Sequence, residues 1–321
     1  MEINSLNLQN FRKFRRSKFN FKKGINIIVG PNGSGKTSIL EAISMLFYPR
    51  NIKSAKNIEI IKRGENISIV HSKGLSRNGR FDLKLKIFPK EKELFLFDKK
   101  VPSYTYIFQR FPIIFFYSKK DHIFWNKPEL LREINYIFSV IDPEYFRMLL
   151  SYNRILKQRN KFLKNKYNKI DPFKKILQDN GKILQKKRII YIKETEEIMK
   201  KYINIKIHYL SSLLDADPEK ERERGITLFG ISRDKIHFEK DGYELRTQCS
   251  EGEKRFFLFY FYIAFAEMMK KRGKYPIIML DDPFSILDFR LVKDFLEKWD
   301  GQIIITSLRS IDLNSSSLIE L

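Results

Sequence analysis

The stretch Gly30-Pro31-Asn32-Gly33-Ser34-Gly35-Lys36-Thr37-Ser38 leaves this chain few folds to choose from. It satisfies G-x-x-x-x-G-K-[ST] in full, and its flanks suit a phosphate-binding loop. Before it, Ile25-Asn26-Ile27-Ile28-Val29 reads as a short buried strand. After it, Ser38 to Phe47 carries apolar residues at helical spacing. A strand, a glycine loop and a helix start in that order imply an α/β fold. Successive backbone N–H groups and the positive end of the helix dipole form a cradle for phosphate oxygens. Lys36 is expected to reach the β- and γ-phosphates of ATP, and the Thr37 hydroxyl to ligate Mg2+. All nine residues from Gly30 to Ser38 are candidate nucleotide contacts.

A second element completes such a site. Ile277-Ile278-Met279-Leu280-Asp281-Asp282 is an apolar strand ending in two carboxylates, a Walker B pattern. Asp281 is placed to hold the Mg2+ shell, and Asp282 to orient or deprotonate an attacking water. Compact P-loop kinases and GTPases bring this second motif much sooner, whereas ATPases of the ABC/SMC type separate the two by a large insertion. Ser250-Glu251-Gly252-Glu253-Lys254-Arg255 opens a long apolar helix ahead of that strand and resembles the ABC/SMC signature motif. There Ser250, Gly252 and Glu253 at the helix start would meet the γ-phosphate held by a second subunit. The same residues also spell S-x-x-E, an ordinary capping box, and the two roles are compatible. Ser285-Ile286-Leu287-Asp288 resembles the D-loop, with Asp288 as its acid. Ile303-Ile304-Ile305-Thr306-Ser307 is the next apolar strand, and no histidine follows it as it would in an ABC transporter ATPase. A Q-loop glutamine has no firm position; Gln109 is the nearest candidate.

Charge and cysteine usage narrow the partners. The chain has 321 residues and a formal net charge of +24, which points to a polyanion such as nucleic acid. An AT-rich genome would also raise lysine, so both explanations stand. A single cysteine, Cys249, reads as a lone buried thiol and fits a reducing, cytoplasmic setting. The four histidines are scattered without metal-ligand spacing. Met1 to Phe11 lacks the apolar segment of a signal peptide, and the longest apolar run, Phe256 to Ala266, has 11 residues. A bilayer takes about 18–20, so no membrane span is expected and this run reads as a helix buried on all sides.

The N-terminal part looks β-rich, with Phe81 to Ile87 alternating cleanly and Ile113 to Tyr117 a further strand candidate. From about Lys119 to Lys201 the pattern turns helical and basic. Asp142-Pro143 caps the best of these helices. Tyr145, Leu149, Tyr152, Leu156 and Leu163 form its apolar seam. Arg147, Arg154, Lys157, Lys161 and Lys164 fall largely on its far side and are candidate DNA-phosphate contacts, against the plain reading of a solvated surface. A second helical stretch, from about Asp171 to Lys200, carries Lys174, Lys175, Lys182, Lys186, Lys187 and Arg188 in the same style. Strands return after Ile203, with a hairpin at Asp241-Gly242. The order suits an ATPase lobe made of 1–118 and 202–321, with a helical lobe, 119–201, inserted between its parts.

Several of these segments together resemble the RecF family of DNA replication and repair proteins, relatives of SMC ATPase heads. Leu6-Asn7-Leu8-Gln9-Asn10-Phe11-Arg12-Lys13-Phe14 is similar to the family's N-terminus. Tyr152-Asn153-Arg154-Ile155-Leu156-Lys157-Gln158-Arg159-Asn160 is very similar to its Y-x-x-x-L-K-Q-R-N segment. Phe116 to Asp121 resembles F-S-P-E-D, and Gly230-Ile231-Ser232-Arg233-Asp234 resembles G-P-H-R-D. Asp281 to Asp288 resembles D-D-V-F-S-E-L-D. The match spans nearly the whole chain in the correct order. Departures occur in the signature, where Glu251, Glu253 and Lys254 replace the usual S-Q-G-Q-Q-R, and at Ser232 and Lys235.

The resemblance implies an α/β, ABC/SMC-head-like P-loop ATPase lobe with an inserted, mainly helical second lobe. It implies Arg12 at the nucleotide site, and two subunits sandwiching two ATP molecules, each sealed by the other's signature motif. It implies closure around double-stranded DNA near a single-strand gap, release by slow hydrolysis, and work with RecO and RecR in loading RecA. The rivals are another SMC-like ATPase, whose coiled-coil arm would need long heptads for which the insertion is too short, and a P-loop kinase for a small molecule. The late Walker B and the basic helices disfavour the kinase.

Overall fold

The computed structural model describes residues 1–48, 56–101, 105–117, 127–165, 170–212, 216–285, 287–311, 313 and 316–321. The chain divides into two compact units, Met1–Lys120 with Met269–Leu321, and Asp121–Met268.

The first unit opens with the antiparallel pair β1 (Glu2–Phe11) and β2 (Phe14–Asn20), then the buried strand β3 (Ile25–Val29) and helix α1 (Lys36–Phe47). The short helix α2 (Asn57–Ile60) leads into β4 (Ser68–Ser76), β5 (Gly79–Ile87), β6 (Lys92–Leu96) and β7 (Lys99–Lys100). Helix α3 (Thr105–Arg110) and strand β8 (Ile113–Tyr117) follow. As the alternation in β5 predicts, Phe81, Leu83, Leu85 and Ile87 are buried and the residues between them are not.

The second unit begins with α4 (Lys127–Ile141), α5 (Pro143–Lys164) and α6 (Lys174–Met199). Asp142 caps α5 by accepting from the Glu144 N–H, with proline at the first turn. The predicted seam is real: Tyr145, Leu149, Tyr152 and Leu163 are buried and Leu156 half-buried. Strand β9 (Ile205–Leu210), helix α7 (Pro218–Arg224), and strands β10 (Lys235–Lys240) and β11 (Tyr243–Glu244) come next. Asp241 and Gly242 both have positive φ, 51° and 87°, as a tight two-residue hairpin requires. Helix α8 (Leu245–Gln248) leads to α9 (Glu251–Lys271), where Phe257 to Ala266 are all buried. The chain closes in the first unit with β12 (Ile277–Asp281), α10 (Phe289–Lys298), β13 (Ile303–Ser307) and β14 (Ser317–Glu320).

Two expectations change. The boundary expected at residue 202 falls at 268 instead, because β9 pairs with β10 and packs on α6, while Phe265 of α9 stacks edge-on against Phe138 of α4. The segment 202–268 thus shares a core with the helices. Arg188, read with the surface lysines of α6, is fully buried. It bonds Asp234 and the Ile231 carbonyl through Nη1, at 2.8 and 2.6 Å, and donates to the Tyr145 hydroxyl at 3.0 Å. Arg159 is buried in the same way, forked onto Glu221 at 2.6 and 2.9 Å and bonded to Asp171 at 2.8 Å. A buried guanidinium needs such partners, and both ionic clusters join segments far apart in sequence.

The first unit holds two sheets. One is antiparallel, in the order β2-β1-β4-β5-β6-β7; the other is parallel, in the order β14-β3-β13-β12-β8. Gln302, buried just ahead of β13, ties them together. Its amide accepts from the Ile3 N–H at 2.7 Å and donates to the Ile3 and Lys22 carbonyls at 2.8 and 2.9 Å. The parallel strands all end at one edge, which is where open α/β sheets place their ligands.

Candidate functional site

Val29 ends β3 and hands the chain to the glycine loop, so the loop sits at the carboxyl edge of the parallel sheet. Gly35 caps α1 at φ 103°, a conformation that a side chain resists. It also has no room for one: a Cβ there would lie 2.6 Å from the ring of Phe14, the first residue of β2 after the β1–β2 turn. Lys13 of that turn donates to the Gly33 carbonyl at 3.0 Å. Arg12, the other turn residue, forks onto Glu41 of α1 at 2.7 and 3.0 Å and donates to the Glu59 carbonyl at 2.8 Å. The turn is therefore bolted over the loop and the first helix.

Lys36 is buried and its ammonium lies inside the loop, donating to the Gly30 carbonyl and, at 2.9 Å, to the Pro31 carbonyl. Ser34 Oγ is buried with no hydrogen-bond partner among the described residues. A positive charge, an unsatisfied hydroxyl and a left-handed glycine at a helix start form a set of groups suited to phosphate oxygens.

The Walker B strand meets this loop. Thr37 Oγ1 donates to Asp281 Oδ1 at 3.0 Å, across 244 positions of sequence. Thr306, paired with Asp281 in the parallel register, donates to the same carboxylate oxygen at 2.8 Å. Its hydroxyl in turn accepts from the Asp282 N–H at 2.9 Å. Asp282 itself is half-buried with φ 50°, left-handed, a strained position that aspartate tolerates better than most residues. A hydroxyl and a carboxylate are hard oxygen donors of the kind Mg2+ takes. Among the described residues no group of three His, Cys, Asp or Glu side chains could hold a metal ion by itself.

Ser250 and Glu253 realise the capping box. The Glu253 N–H donates to Ser250 Oγ at 3.3 Å, and Glu253 Oε2 accepts from the Ser250 N–H and hydroxyl, each at 2.9 Å. Lys240 bonds the other carboxylate oxygen of Glu253 at 2.8 Å. That bond, with those from the Ser250 N–H and hydroxyl, lowers the Glu253 pKa to about 2, so this carboxylate is an anchor and not a proton donor. Ser250 and Gly252 are exposed. Cys249 beside them is half-buried, not buried as expected, and burial raises its thiol pKa. Asp288 caps α10 by accepting from the Arg290 N–H at 2.8 Å, and Ile286 of the D-loop segment lies outside the described residues. So do Ser118 to Asp121 of the segment resembling F-S-P-E-D, and His122. Gln109 sits on α3. Arg147, Arg154, Lys157, Lys161 and Lys164 are all exposed on α5.

Sequence reasoning assigned no role to Thr306, Lys13 or Glu41. The only signal for Thr306 was a hydroxyl residue near the end of an apolar strand. Its value depends on the register that puts it beside Asp281. Among the described residues no helix is long and apolar enough to cross a membrane.

Comparison with known proteins agrees with this arrangement. The family described as the RecF/RecN/SMC N terminal domain matches residues 2–319. The DNA replication and repair protein RecF of Staphylococcus aureus strain JH9 is 26% identical over 351 aligned positions, covering 97% of this chain and 95% of that protein. The structure of the recombination mediator protein RecF-ATP in the RecFOR pathway superposes with a TM-score of 0.86 at 25% identity, over 97% of this chain and 93% of that one. The Smc head domain from Pyrococcus furiosus is more distant, with a TM-score of 0.56 at 16% identity over 96% of this chain and 89% of that one, a likeness of fold. The chain belongs to the RecF/RecN/SMC N-terminal domain family, as a RecF-like member.

Proposed function

We propose that the chain is a RecF-type DNA repair and replication ATPase that uses ATP as a timer. The observation that carries this reading is the Thr37–Asp281 hydrogen bond, which joins the phosphate loop to the Walker B strand. ATP would lie on the loop from Gly30 to Ser38, with Lys36 turning from its loop carbonyls to the β- and γ-phosphates. Thr37 and Asp281 would hold Mg2+, which neutralises charge building on the phosphates. Asp282 would orient and deprotonate the attacking water, its backbone fixed by Thr306. Arg12 would act by holding the β1–β2 turn against α1, next to the nucleotide. Residues 1–118 and 269–321 make up the ATPase lobe in this reading.

Two subunits would close on ATP, each presenting Ser250 and Gly252 to the other's γ-phosphate, with Asp288 at the joint. The closed dimer would hold double-stranded DNA near a gap, and slow hydrolysis would release it. RecR and RecO are the partners this role calls for in the cytoplasm, and RecA the protein loaded. The deciding experiment measures oligomer mass and DNA binding with and without ATP. Both should rise with ATP, and a monomer indifferent to ATP and DNA would refute the reading.

Ser250→Arg should abolish ATP-induced dimerisation while the monomer keeps its affinity for ATP, because a bulky cation then stands where the partner's phosphate docks. Sedimentation measures this, and unchanged dimerisation would remove Ser250 from the composite site. Replacing Arg154, Lys157, Lys161 and Lys164 together by glutamine should weaken duplex binding and leave ATP binding intact. Each lost phosphate contact lowers the slope of log affinity against log salt by about 0.9. An unchanged slope would move the DNA-binding face off α5.

A further inference from the structure

Helix α6 buries one face completely: Leu177, Gly181, Leu184, Arg188, Ile192, Thr195, Ile198 and Met199 are inside. Four isoleucines of the same helix are exposed, and three of them form a line. Ile176 is 50% exposed, Ile183 46% and Ile190 59%. They recur every seven residues, so at about 100° per residue they stay within about 40° of one another along four turns. Genome bias toward isoleucine would scatter such residues around the helix. Only Ile189, 36% exposed, departs from the line among the exposed isoleucines of α6. About half of each of these side chains stays in water, so the ridge leaves apolar surface uncovered.

The surroundings of the ridge say what would cover it. On one side the helix α5 lies close, pinned by Lys187, which bonds Asp142 and Glu144 at 2.8 and 2.7 Å. The half-buried Met148 and Ile155 follow Glu144 on the same face of α5. On the other side Lys175, Lys182, Lys186 and Lys193 form an exposed basic row, with the exposed Asp179 and Glu197 between that row and the ridge. A second copy docked on this face would set one lysine row close to another, which is unfavourable. Duplex DNA would use the lysines but gains nothing from an isoleucine line. An apolar heptad line with a basic margin complements a helix that carries apolar residues at the same spacing and carboxylates beside them.

We propose that the exposed face of α6, centred on Ile176, Ile183 and Ile190, is a docking site for an acidic amphipathic helix of a partner protein. The site shares no residue with the nucleotide-binding set and does not depend on its assignment.

The test uses the full chain and a synthetic peptide of about three heptads, with leucine at the a and d positions and glutamate beside them. Fluorescence anisotropy of the labelled peptide should report saturable binding. The triple variant Ile176→Ser/Ile183→Ser/Ile190→Ser should lose about tenfold or more in affinity, as truncated interface anchors do. Ile189→Ser, off the line, should bind as the wild type does. All four positions are exposed, so the variants should fold, and unchanged thermal melting checks this. Lys182→Glu/Lys186→Glu should reject the glutamate peptide and accept its lysine counterpart. The proposal is overturned by equal peptide affinity in wild type and triple variant, or by no binding at about 1 mM peptide. It is also overturned if the isoleucines instead govern binding to phosphatidylglycerol vesicles or self-association in sedimentation.

Discussion

Lys36→Met is expected to remove ATP binding almost entirely while leaving the fold in place. The ammonium is the buried positive charge of the loop, and methionine matches its stem in length and apolar character. Charge-assisted hydrogen bonds contribute about 1.5–3 kcal/mol each, so losing two to the β- and γ-phosphates should weaken binding ~100-fold or more. The same substitution also removes the bonds to the Gly30 and Pro31 carbonyls, so thermal melting must accompany the measurement. Calorimetric titration with Mg-ATP gives the answer. Wild-type affinity in a folded Lys36→Met chain would mean that the nucleotide does not use this loop.

Asp282→Asn should separate binding from turnover. Asparagine accepts the left-handed backbone at φ 50° as readily as aspartate does, so the local geometry should survive. The bonds from Asp282 N–H to Thr306 and from Ser285 to the Asp282 carbonyl involve only the backbone of residue 282 and are unaffected. What disappears is the carboxylate that can take a proton, a loss of about 100- to 10,000-fold for a positioned general base. Phosphate release should fall by that much, and an ATP-bound dimer should accumulate. Hydrolysis at the wild-type rate would place the base elsewhere. Alanine would be a poorer test, since it also opposes the left-handed φ.

Much of this architecture is legible in the sequence where the cause is local. The glycine loop with its flanks, the alternation of β5, the Asp142-Pro143 cap and the capping box at Ser250 are all set by residues a few positions apart. Each forms as expected. The failures are non-local. Nothing near Arg188 announces Asp234, its partner 46 positions later, so a buried arginine looked like one more surface cation. The strands β9 to β11 read as part of the ATPase lobe because a strand does not reveal which helix it packs against. Thr306 acquires its importance only from the parallel register with Asp281. The walls of the nucleotide site could be read from sequence, but the bonds that couple them across the sheet could not.

The buried amide of Gln302 has a consequence for how much freedom a ligand must freeze. Because it reaches from the residue ahead of β13 to the start of β1, it bonds the outer sheet to the parallel sheet, and the β1–β2 turn is held against the phosphate loop by Phe14 and Lys13. A nucleotide on this loop would meet a turn and a helix start already fixed in place, with Lys36 the group that has to turn. The ordering of those walls would then cost nothing at the moment of binding, and more of each contact's free energy would appear as affinity. Shortening this amide would loosen a surface that touches no phosphate, and the expense would surface as weaker binding at a distance.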